Sequence, residues 1–399
     1  MNYGIFKNLA SDNHYLSLTK TLNSARCTEE TVKSIKRITK NDMCYAHMGQ
    51  LVIHNGICYT TFLQNSGNDG ENHDSITSGV VLGIFSLDKA MSNSFDAEED
   101  VEFYPVGKKG DYCAGHKANS IFKDNSMCLV GDKLNICFSF TADDDESHIF
   151  CKEFNIYTKK WESEKAVVLR YKDKIYNFSD KTINFIYEDK GFEPRAKGLI
   201  ELVSAWSEYK GEYYATGVTI EGPNNGFVVK TKDFAVMELV DVVPFNDMGC
   251  AEIASYIYKD MLFVACRQDY GIPYLYMGLL DLETLEWKHH YKISDGNSRP
   301  WFFEYRDELY LLNTVEEFGR RYTNVSRVRT LDSEYEFFKY KVPVETMATL
   351  KNCGYYHATA NYEGDVYFVC TWNTESFGKL SMNFYDEDAV NKKMIELFE

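Results

Sequence analysis

The chain has 399 residues, of which 44% are hydrophobic and 26% charged, a composition that excludes a disordered chain and allows a large core. The net charge of -17, without any basic block, opposes binding to a phosphate backbone, so we expect no nucleic-acid partner. No long apolar run and no signal-like N-terminus occur, so we expect a cytoplasmic protein without a membrane partner.

The aromatic and cysteine contents favour a sheet-rich protein with reduced thiols. Tyr (29), Phe (26) and Trp (5) suit the half-buried surface of a pleated sheet. The 11 Cys form no CxxC pair, and we expect them to be reduced thiols that pack in the core.

In chain order, a lead-in segment precedes a repeated pattern of two apolar, aromatic strands joined by a short polar turn. Only the ends have a helical pattern, at Glu29–Ile38 and Glu387–Glu399. The predicted hairpins are Gln50–Phe62, Ser126–Phe140, Leu202–Gly217, Ile253–Cys266, Trp301–Asn313 and Asn361–Trp372.

Some hairpins are followed by a segment that ends in an aromatic residue, such as Phe154–Trp161 and Leu280–Trp287. About six such units indicate an all-β fold: a six-bladed β-propeller with four-stranded antiparallel blades. Arranging the sheets in a closed ring is how such a fold avoids exposed sheet edges. We predict a lead-in segment at 1–43 and a single propeller domain with a short C-terminal tail at 44–399. A β-sandwich is the alternative fold.

In a propeller the first strand of each blade lines the axis, so residues that enter these strands converge on one pocket. The positions that enter first strands are His47, His116, the region around Gly198, Glu252, Arg299 and Tyr355. Arg267 ends the second strand of the fourth unit and lies at the same end. This set is rich in ionisable groups, which favours a binding or catalytic site.

Four stretches of the sequence resemble the sialidase (neuraminidase) superfamily, in family order. Glu252 and Arg267 in AEIASYIYKDMLFVACRQDYG have the spacing of the family's glutamate and arginine, and Arg299 in SRPWFFEYRDE resembles a later arginine. Tyr355 in CGYYHATANYEG resembles the start of the last inner strand, and CYTTFLQNSGNDGENHDSI resembles the stretch that carries the acid aspartate, here Asp74.

The resemblance implies a sialidase-like exo-glycosidase that hydrolyses a short, acidic oligosaccharide without a cofactor. Tyr355 would be the nucleophile and Glu252 would take its proton, because a phenol with a pKa near about 10 is a poor nucleophile at neutral pH. Asp74 would be the acid/base, and Arg267 and Arg299 would bind the sugar carboxylate. His116 and Tyr356 complete the predicted substrate-binding set.

One position departs from the family pattern. Sialidases use three arginines on the substrate carboxylate, and His47 in CYAHMGQLVI stands at the first. The substrate is therefore a different sugar, or His47 is itself an acid or base. The alternatives are a uronate lyase on the same fold and a propeller that binds glycans without catalysis.

Each candidate also has a structural interpretation. Glu252 and Arg267 are equally consistent with a structural ion pair, Arg299 with packing on Trp301, and a one-residue slip would put Tyr356 in place of Tyr355. The acidic run 143–146 (DDDE) lacks the ligand spacing of a calcium loop, so we predict no metal site there. The pattern predicts no oligomeric state.

Overall fold

The computed structural model describes most of the chain between residues 15 and 372. The described ranges are 15–20, 36–43, 45–65, 78–120, 122–192, 198–219, 226–244, 250–267, 274–294, 299–315, 322–328, 344–351 and 355–372. Strands dominate them, and the predicted all-β class is confirmed. None of their helices is long and apolar enough to cross a membrane.

The first half of the chain forms three sheets, which we call sheets I to III, preceded by two strands that join the last sheet. Those strands are β1 (Tyr15–Lys20) and β2 (Lys36–Arg37). Sheet I consists of β3 (Tyr45–His54), β4 (Ile57–Asn65), β5 (Gly79–Ser86) and β6 (Glu102–Lys108), with helices α1 (Leu87–Met91) and α2 (Ala97–Asp100) between the last two. A two-stranded ribbon follows, of β7 (Tyr112–Cys113) and β8 (His116–Lys117). Sheet II consists of β9 (Lys123–Val130), β10 (Lys133–Thr141), β11 (Ser147–Asn155) and β12 (Lys160–Ala166).

Sheet III is the largest, because a hairpin is added to its outer edge and its first strand is split in two. Its elements are β13 (Val168–Tyr171), β14 (Lys174–Asn177), helix α3 (Asp180–Asp189), β15 (Ile200–Leu202), β16 (Ser207–Tyr209), β17 (Glu212–Thr219), β18 (Gly226–Thr231) and β19 (Val236–Val242). Both β15 and β16 pair with β17. The added hairpin pairs β13 in parallel with β19.

The second half forms three four-stranded antiparallel sheets, which we call sheets IV to VI. Sheet IV consists of β20 (Ile253–Tyr258), β21 (Met261–Arg267), β22 (Tyr274–Asp281) and β23 (Trp287–Ser294). Sheet V consists of β24 (Trp301–Tyr305), β25 (Glu308–Val315), β26 (Tyr322–Val328) and β27 (Val344–Lys351). Sheet VI has the order β28 (Tyr355–Tyr362), β29 (Asp365–Trp372), β1, β2.

The predicted hairpins join the first two strands of each sheet. Five of these hairpins close on two residues with positive φ, the conformation that matches the twist of paired strands: Asn55–Gly56, Lys210–Gly211, Lys259–Asp260, Arg306–Asp307 and Glu363–Gly364. The short polar turns that the sequence predicts are therefore confirmed.

The first strands of the sheets contact one another in a series that returns to its start. Strand β3 contacts β9, β9 contacts β15, and β16 and β17 contact β20. Strand β20 contacts β24, β24 contacts β28, and β28 contacts β3. The six sheets therefore lie side by side, each with its first strand against those of its neighbours.

Apolar side chains fill the spaces between neighbouring sheets. Between sheets I and II lies a group of buried rings that we call the phenylalanine stack: Phe122, Phe138, Phe140 and Phe150. The opposite face of sheet II packs Cys137 and Cys151 against sheet III. All the described cysteines are free thiols and buried, and burial raises the pKa of Cys128 to about 12.

The helical predictions need correction. Lys36–Arg37, within the segment predicted as a helix, is strand β2, while Glu387–Glu399 lies outside the described residues. The prediction that only the ends are helical is wrong, because α3 lies in the chain between β14 and β15, two strands of sheet III. It begins after Ser179, whose hydroxyl accepts from the Thr182 N–H, and it buries Ile183, Ile186 and Tyr187 on one face.

The segment before residue 44 takes part in the fold. Strand β1 pairs antiparallel with β29 from Tyr15↔Trp372 to Lys20↔Tyr367, and β2 pairs with β1. The predicted division of the chain at residues 43 and 44 stays a prediction, but sheet VI draws strands from both sides of it.

Candidate functional site

Four of the predicted site residues, His47, Glu252, Arg267 and Arg299, lie at one end of their sheets, which we call the entry end. At this end the first strand of a sheet begins and the second strand finishes, as the pairs Tyr45↔Asn65, Ile253↔Cys266 and Tyr355↔Thr371 define. Because the first strands contact one another, side chains at the entry end of different sheets are brought towards a common region.

Glu252 and Arg267 form an ion pair at the entry end of sheet IV. Arg267 Nη1 donates to Glu252 Oε2 at 2.7 Å, and the two side chains are 15% and 14% exposed. The backbone holds both residues in place, since the Arg267 N–H donates to the Glu252 carbonyl (2.7 Å) and the Ala251 N–H to the Arg267 carbonyl (2.9 Å). The arrangement presents a carboxylate and a guanidinium together at the edge of solvent.

Arg299 lies two residues before β24 and is only 1% exposed. Its Nη2 donates to the Val203 carbonyl at 2.5 Å, and its guanidinium carbon is 5.6 Å from the centre of the Trp301 ring. Val203 lies in the gap between β15 and β16, so the split first strand of sheet III offers a carbonyl to an arginine of sheet V. A buried guanidinium is costly unless it is hydrogen-bonded, and this carbonyl accepts one of its bonds.

His47 is 5% exposed and occupies a bulge in β3. The register shifts between His47 and Gln50, and Met48 has a φ of 59°. The bulge turns the Met48 carbonyl towards sheet II, where it accepts from Asn125 Nδ2 at 3.3 Å. Bulges of this kind re-aim a side chain next to a functional site.

His116 does not lie at the entry of a first strand, as the sequence analysis expected. The first strand of sheet II is β9, whereas His116 belongs to the separate ribbon of β7 and β8. Its ring lies 5.5 Å from that of His148, at the start of β11. Its predicted contact with substrate stays a prediction.

Tyr355 and Tyr356 are the first two residues of β28, opposite Thr371 and Cys370. Their side chains, and the whole of Asp74, lie outside the described part of the chain.

Arg37, ten residues before His47, is an arginine that could compensate for the one that His47 replaces, and it lies in β2. This strand is at the opposite edge of sheet VI from β28. Its guanidinium bonds locally, from Nη1 to Asn41 Oδ1 (2.9 Å) and from Nη2 to the Lys40 carbonyl (3.0 Å). Within the described residues, Arg37 and β28 therefore lie at opposite edges of one sheet.

The sequence analysis missed Glu201, which is 1% exposed in the middle of β15 at the entry end of sheet III. The available signal was a single carboxylate in the apolar run Gly198 to Val203 (GLIELV). Charged residues are rarely buried to this extent without a partner or a function. The run shows no clear strand pattern, because β15 has only three residues.

Polar side chains also join the first strands of neighbouring sheets. We call Ser204, Thr216 and Ser255 the serine cluster: Ser255 Oγ donates to Ser204 Oγ and Thr216 Oγ1 donates to Ser255 Oγ, each at 3.2 Å. Trp206 Nε1 donates to Ser126 Oγ at 3.1 Å, and Trp301 Nε1 to Thr359 Oγ1 at 3.0 Å. The candidate site therefore rests on strands that are fixed to one another by directional bonds.

Comparison with solved structures finds sialidases. Trypanosoma rangeli sialidase in complex with the inhibitor DANA has 11% identity and a TM-score of 0.52, covering 88% of this chain and 59% of that chain. The same sialidase in complex with 2,3-difluoro-KDN has 12% identity and a TM-score of 0.51, with 88% and 58% covered. A mutant of it that displays trans-sialidase activity has 10% identity and a TM-score of 0.51, with 88% and 58% covered. The chain has a sialidase-like fold.

This likeness concerns the fold alone. The chain spans less than 60% of the length of these sialidases, at identities of 10–12%. No protein-family model matches the chain, and no curated protein sequence matches it either.

Proposed function

We propose that the chain is a six-bladed β-propeller that hydrolyses a short, acidic oligosaccharide as a sialidase-like glycoside hydrolase. Each sheet is one blade, and the pairing of β1 with β29 closes the ring by joining the two ends of the chain in sheet VI. The returning series of contacts among the first strands supports this closure. The fold shared with sialidases supports the class of reaction.

The observation that carries the proposal is the ion pair of Glu252 and Arg267 at the entry end. Arg267 Nη1 lies 2.7 Å from the Glu252 carboxylate, so the proposed base and a substrate-binding guanidinium lie together, and both side chains keep some contact with solvent. Glu252 takes the proton of Tyr355, whose phenolate attacks the anomeric carbon, and Asp74 protonates the leaving oxygen. Water then releases the sugar, with Asp74 as base.

Substrate recognition in this proposal relies on Arg267 and Arg299. Arg267 offers its guanidinium to the sugar carboxylate from the edge of the pocket. Arg299 already gives one nitrogen to the Val203 carbonyl, so its role includes fixing sheet III beside the pocket as well as supplying positive charge. With His47 at the third position, the carboxylate is held by fewer charged bonds than in a sialidase, and His116 and Tyr356 add polar contacts to a different acidic sugar.

The test is a screen of aryl glycosides of acidic sugars, including sialic and uronic acids, read by released aryl alcohol. With the best substrate we expect Glu252→Gln to lower kcat by about 10²–10⁴-fold, the usual contribution of a general base. Tyr355→Phe is expected to lower kcat at least as much, because it removes the nucleophile.

Glu212→Gln is the matched control. Glu212 is a carboxylate 24% exposed and paired with Lys230, but it starts β17 at the end of sheet III opposite the entry end. Its variant is expected to retain wild-type turnover. Full activity of Glu252→Gln or Tyr355→Phe would contradict the mechanism, and an unsaturated product that absorbs ultraviolet light would identify a lyase instead. Sugar binding without any turnover would leave a glycan-binding propeller.

A further inference from the structure

A second group of chemically active side chains lies where the turn between β10 and β11 meets the β7–β8 ribbon. Asp144, Glu146 and His148 each place one potential metal-ligand atom within 4.8 Å of the other two. His148 is 4% exposed, whereas the side chain of Asp144 is 42% exposed. The His148 Nε2 atom is 2.9 and 3.1 Å from the two carboxylate oxygens of Asp144, so the imidazole points from the interior into the cluster.

A second imidazole lies next to this group, on an independent element. His116, in β8, has its ring centre 5.5 Å from that of His148, and its Nδ1 is 3.7 Å from Asp143 Oδ1. A solvated acidic turn does not require a histidine from β11 or from β8 beside it. Two imidazoles that converge on carboxylates are the donor set of zinc-like ions, which accept nitrogen and oxygen together.

The charges of the described residues also favour a cation here. Lys181 Nζ donates to Glu146 Oε1 at 2.7 Å, and the Asp180 carboxylate lies beside the same turn, where it accepts from the Ser147 N–H. The Glu146 N–H donates to Asp144 Oδ1 at 3.0 Å, which holds the Asp144 carboxylate in the turn. Within the described part of the chain, Lys181 is the only ammonium group that bonds to this set of carboxylates, which leaves excess negative charge for a divalent ion.

The backbone beneath the cluster is held rigidly. The Ser147 N–H donates to Asp180 Oδ1 at 3.2 Å, and Ser147 Oγ accepts from the Ile200 N–H at 3.1 Å. The turn that carries Asp144 and Glu146 is therefore tied to the start of β15, at the entry end of sheet III. Such preorganisation lowers the cost of gathering ligands around an ion.

We propose that Asp144, Glu146 and His148, with His116 as a fourth ligand, form a binding site for a divalent transition-metal ion of the zinc type. The ion takes Nε2 of His148 in place of the hydrogen bond to Asp144, and it displaces the ammonium of Lys181 from Glu146. Once bound, it links the β7–β8 ribbon to sheet II beside the start of sheet III. This site does not rest on the glycosidase proposal, although both assign a role to His116.

The test is calorimetric titration of the chelator-treated full chain with ZnCl₂. We expect one strong site per chain, and we expect His148→Gln to lower its affinity by at least about tenfold. Lys181→Met is expected to raise the affinity, because it removes the competing ammonium. His54→Gln is the matched control, since His54 is a partly buried histidine at the far end of β3 whose ring bonds to Asn55.

The coordination itself is checked with Co²⁺ as the probe. A mixed nitrogen and oxygen site gives visible absorption bands that free Co²⁺ lacks, and these bands should be lost in His148→Gln. If that variant fails to fold by circular dichroism, His116→Gln carries the test, because its side chain is 34% exposed.

Several results would overturn the proposal. One is unchanged Zn²⁺ affinity in both histidine variants, and another is unchanged affinity in Lys181→Met. Binding of Ca²⁺ in preference to Zn²⁺ would indicate an all-oxygen site without the imidazoles.

Discussion

The phenylalanine stack and the serine cluster are both buried between neighbouring sheets, but they hold those sheets together by different forces. In the stack, the rings of Phe140 and Phe150 lie 4.1 Å apart and nearly parallel, at 7°, and Phe122 is 4.9 Å from Phe140. In the serine cluster, three hydroxyls between sheets III and IV satisfy one another. The stack depends on area and shape, whereas the cluster depends on every partner being present.

The difference follows the position of the candidate site. The serine cluster adjoins Val203, which accepts from Arg299, and Ser255 lies in β20 shortly after Glu252. The phenylalanine stack supports sheets I and II, away from that ion pair. Directional bonds fix a geometry that apolar packing leaves adjustable, so the serine cluster holds the strands beside the proposed site in fixed positions.

The largest expected effect is the loss of a ring from the phenylalanine stack. Phe140 is fully buried, so Phe140→Ala removes its apolar contacts and leaves a cavity, at a cost of about 3–5 kcal/mol in the free energy of unfolding. Urea unfolding followed by tryptophan fluorescence measures it. Tyr157→Ala, in the same sheet but 72% exposed, is the control and should change little. A loss below about 1 kcal/mol for Phe140→Ala would mean that the stack is not a stabilising core.

The sequence predicts the features of the fold that depend on residues close together in the chain. Each hairpin combines apolar strands with a polar turn inside a short window, and Phe138 and Phe140 of the stack belong to the window Ser126–Phe140. The pairing of Ser17 with Cys370 has no such signal, because it joins segments from opposite ends of the sequence. Helix α3 was missed because its apolar positions lie in a stretch that otherwise continues the strand pattern.

In the candidate site, too, a contact within one hairpin is predictable from the sequence, whereas a contact between two sheets is not. The pairing of Glu252 with Arg267 followed from their position on two strands of one hairpin, and the structure brings them into contact. The bond from Arg299 to Val203 crosses from sheet V to sheet III, and it depends on a break in the first strand of sheet III that no residue pattern announces. His116 was assigned to the wrong element because the ribbon of β7 and β8 is an insertion between two repeats.

A smaller effect is expected from the serine cluster. Ser255→Ala leaves the buried Thr216 hydroxyl without its acceptor and removes a donor to Ser204, at a cost of about 1–3 kcal/mol. Urea unfolding measures this, with Ser94→Ala on an exposed loop as the control. The double variant Ser204→Ala/Ser255→Ala should cost less than the sum of the single changes, because the two hydroxyls share one network. Strict additivity would contradict the coupling.

The smallest expected effect concerns Glu153 on β11, a polar group in the same sheet as the phenylalanine stack. Burial raises the pKa of its carboxyl, but bonds from Lys165 (2.6 Å) and Ser163 (2.5 Å) outweigh burial and lower the pKa below its ordinary value of 4.5. A lowered carboxyl pKa stabilises the folded state above the unfolded pKa, and this contribution is lost as the pH falls through the folded pKa.

Glu153→Gln should therefore cost about 1–2 kcal/mol at pH 7, and the difference from wild type should shrink steadily below pH 4.5. Urea unfolding at a series of pH values measures it, with the 47%-exposed Glu238→Gln as the control. A difference that stays constant down to pH 3 would assign the effect of Glu153 to packing, as in the phenylalanine stack. A difference that vanishes in acid assigns it to charge, because Gln preserves the shape of the side chain and removes only its ionisation.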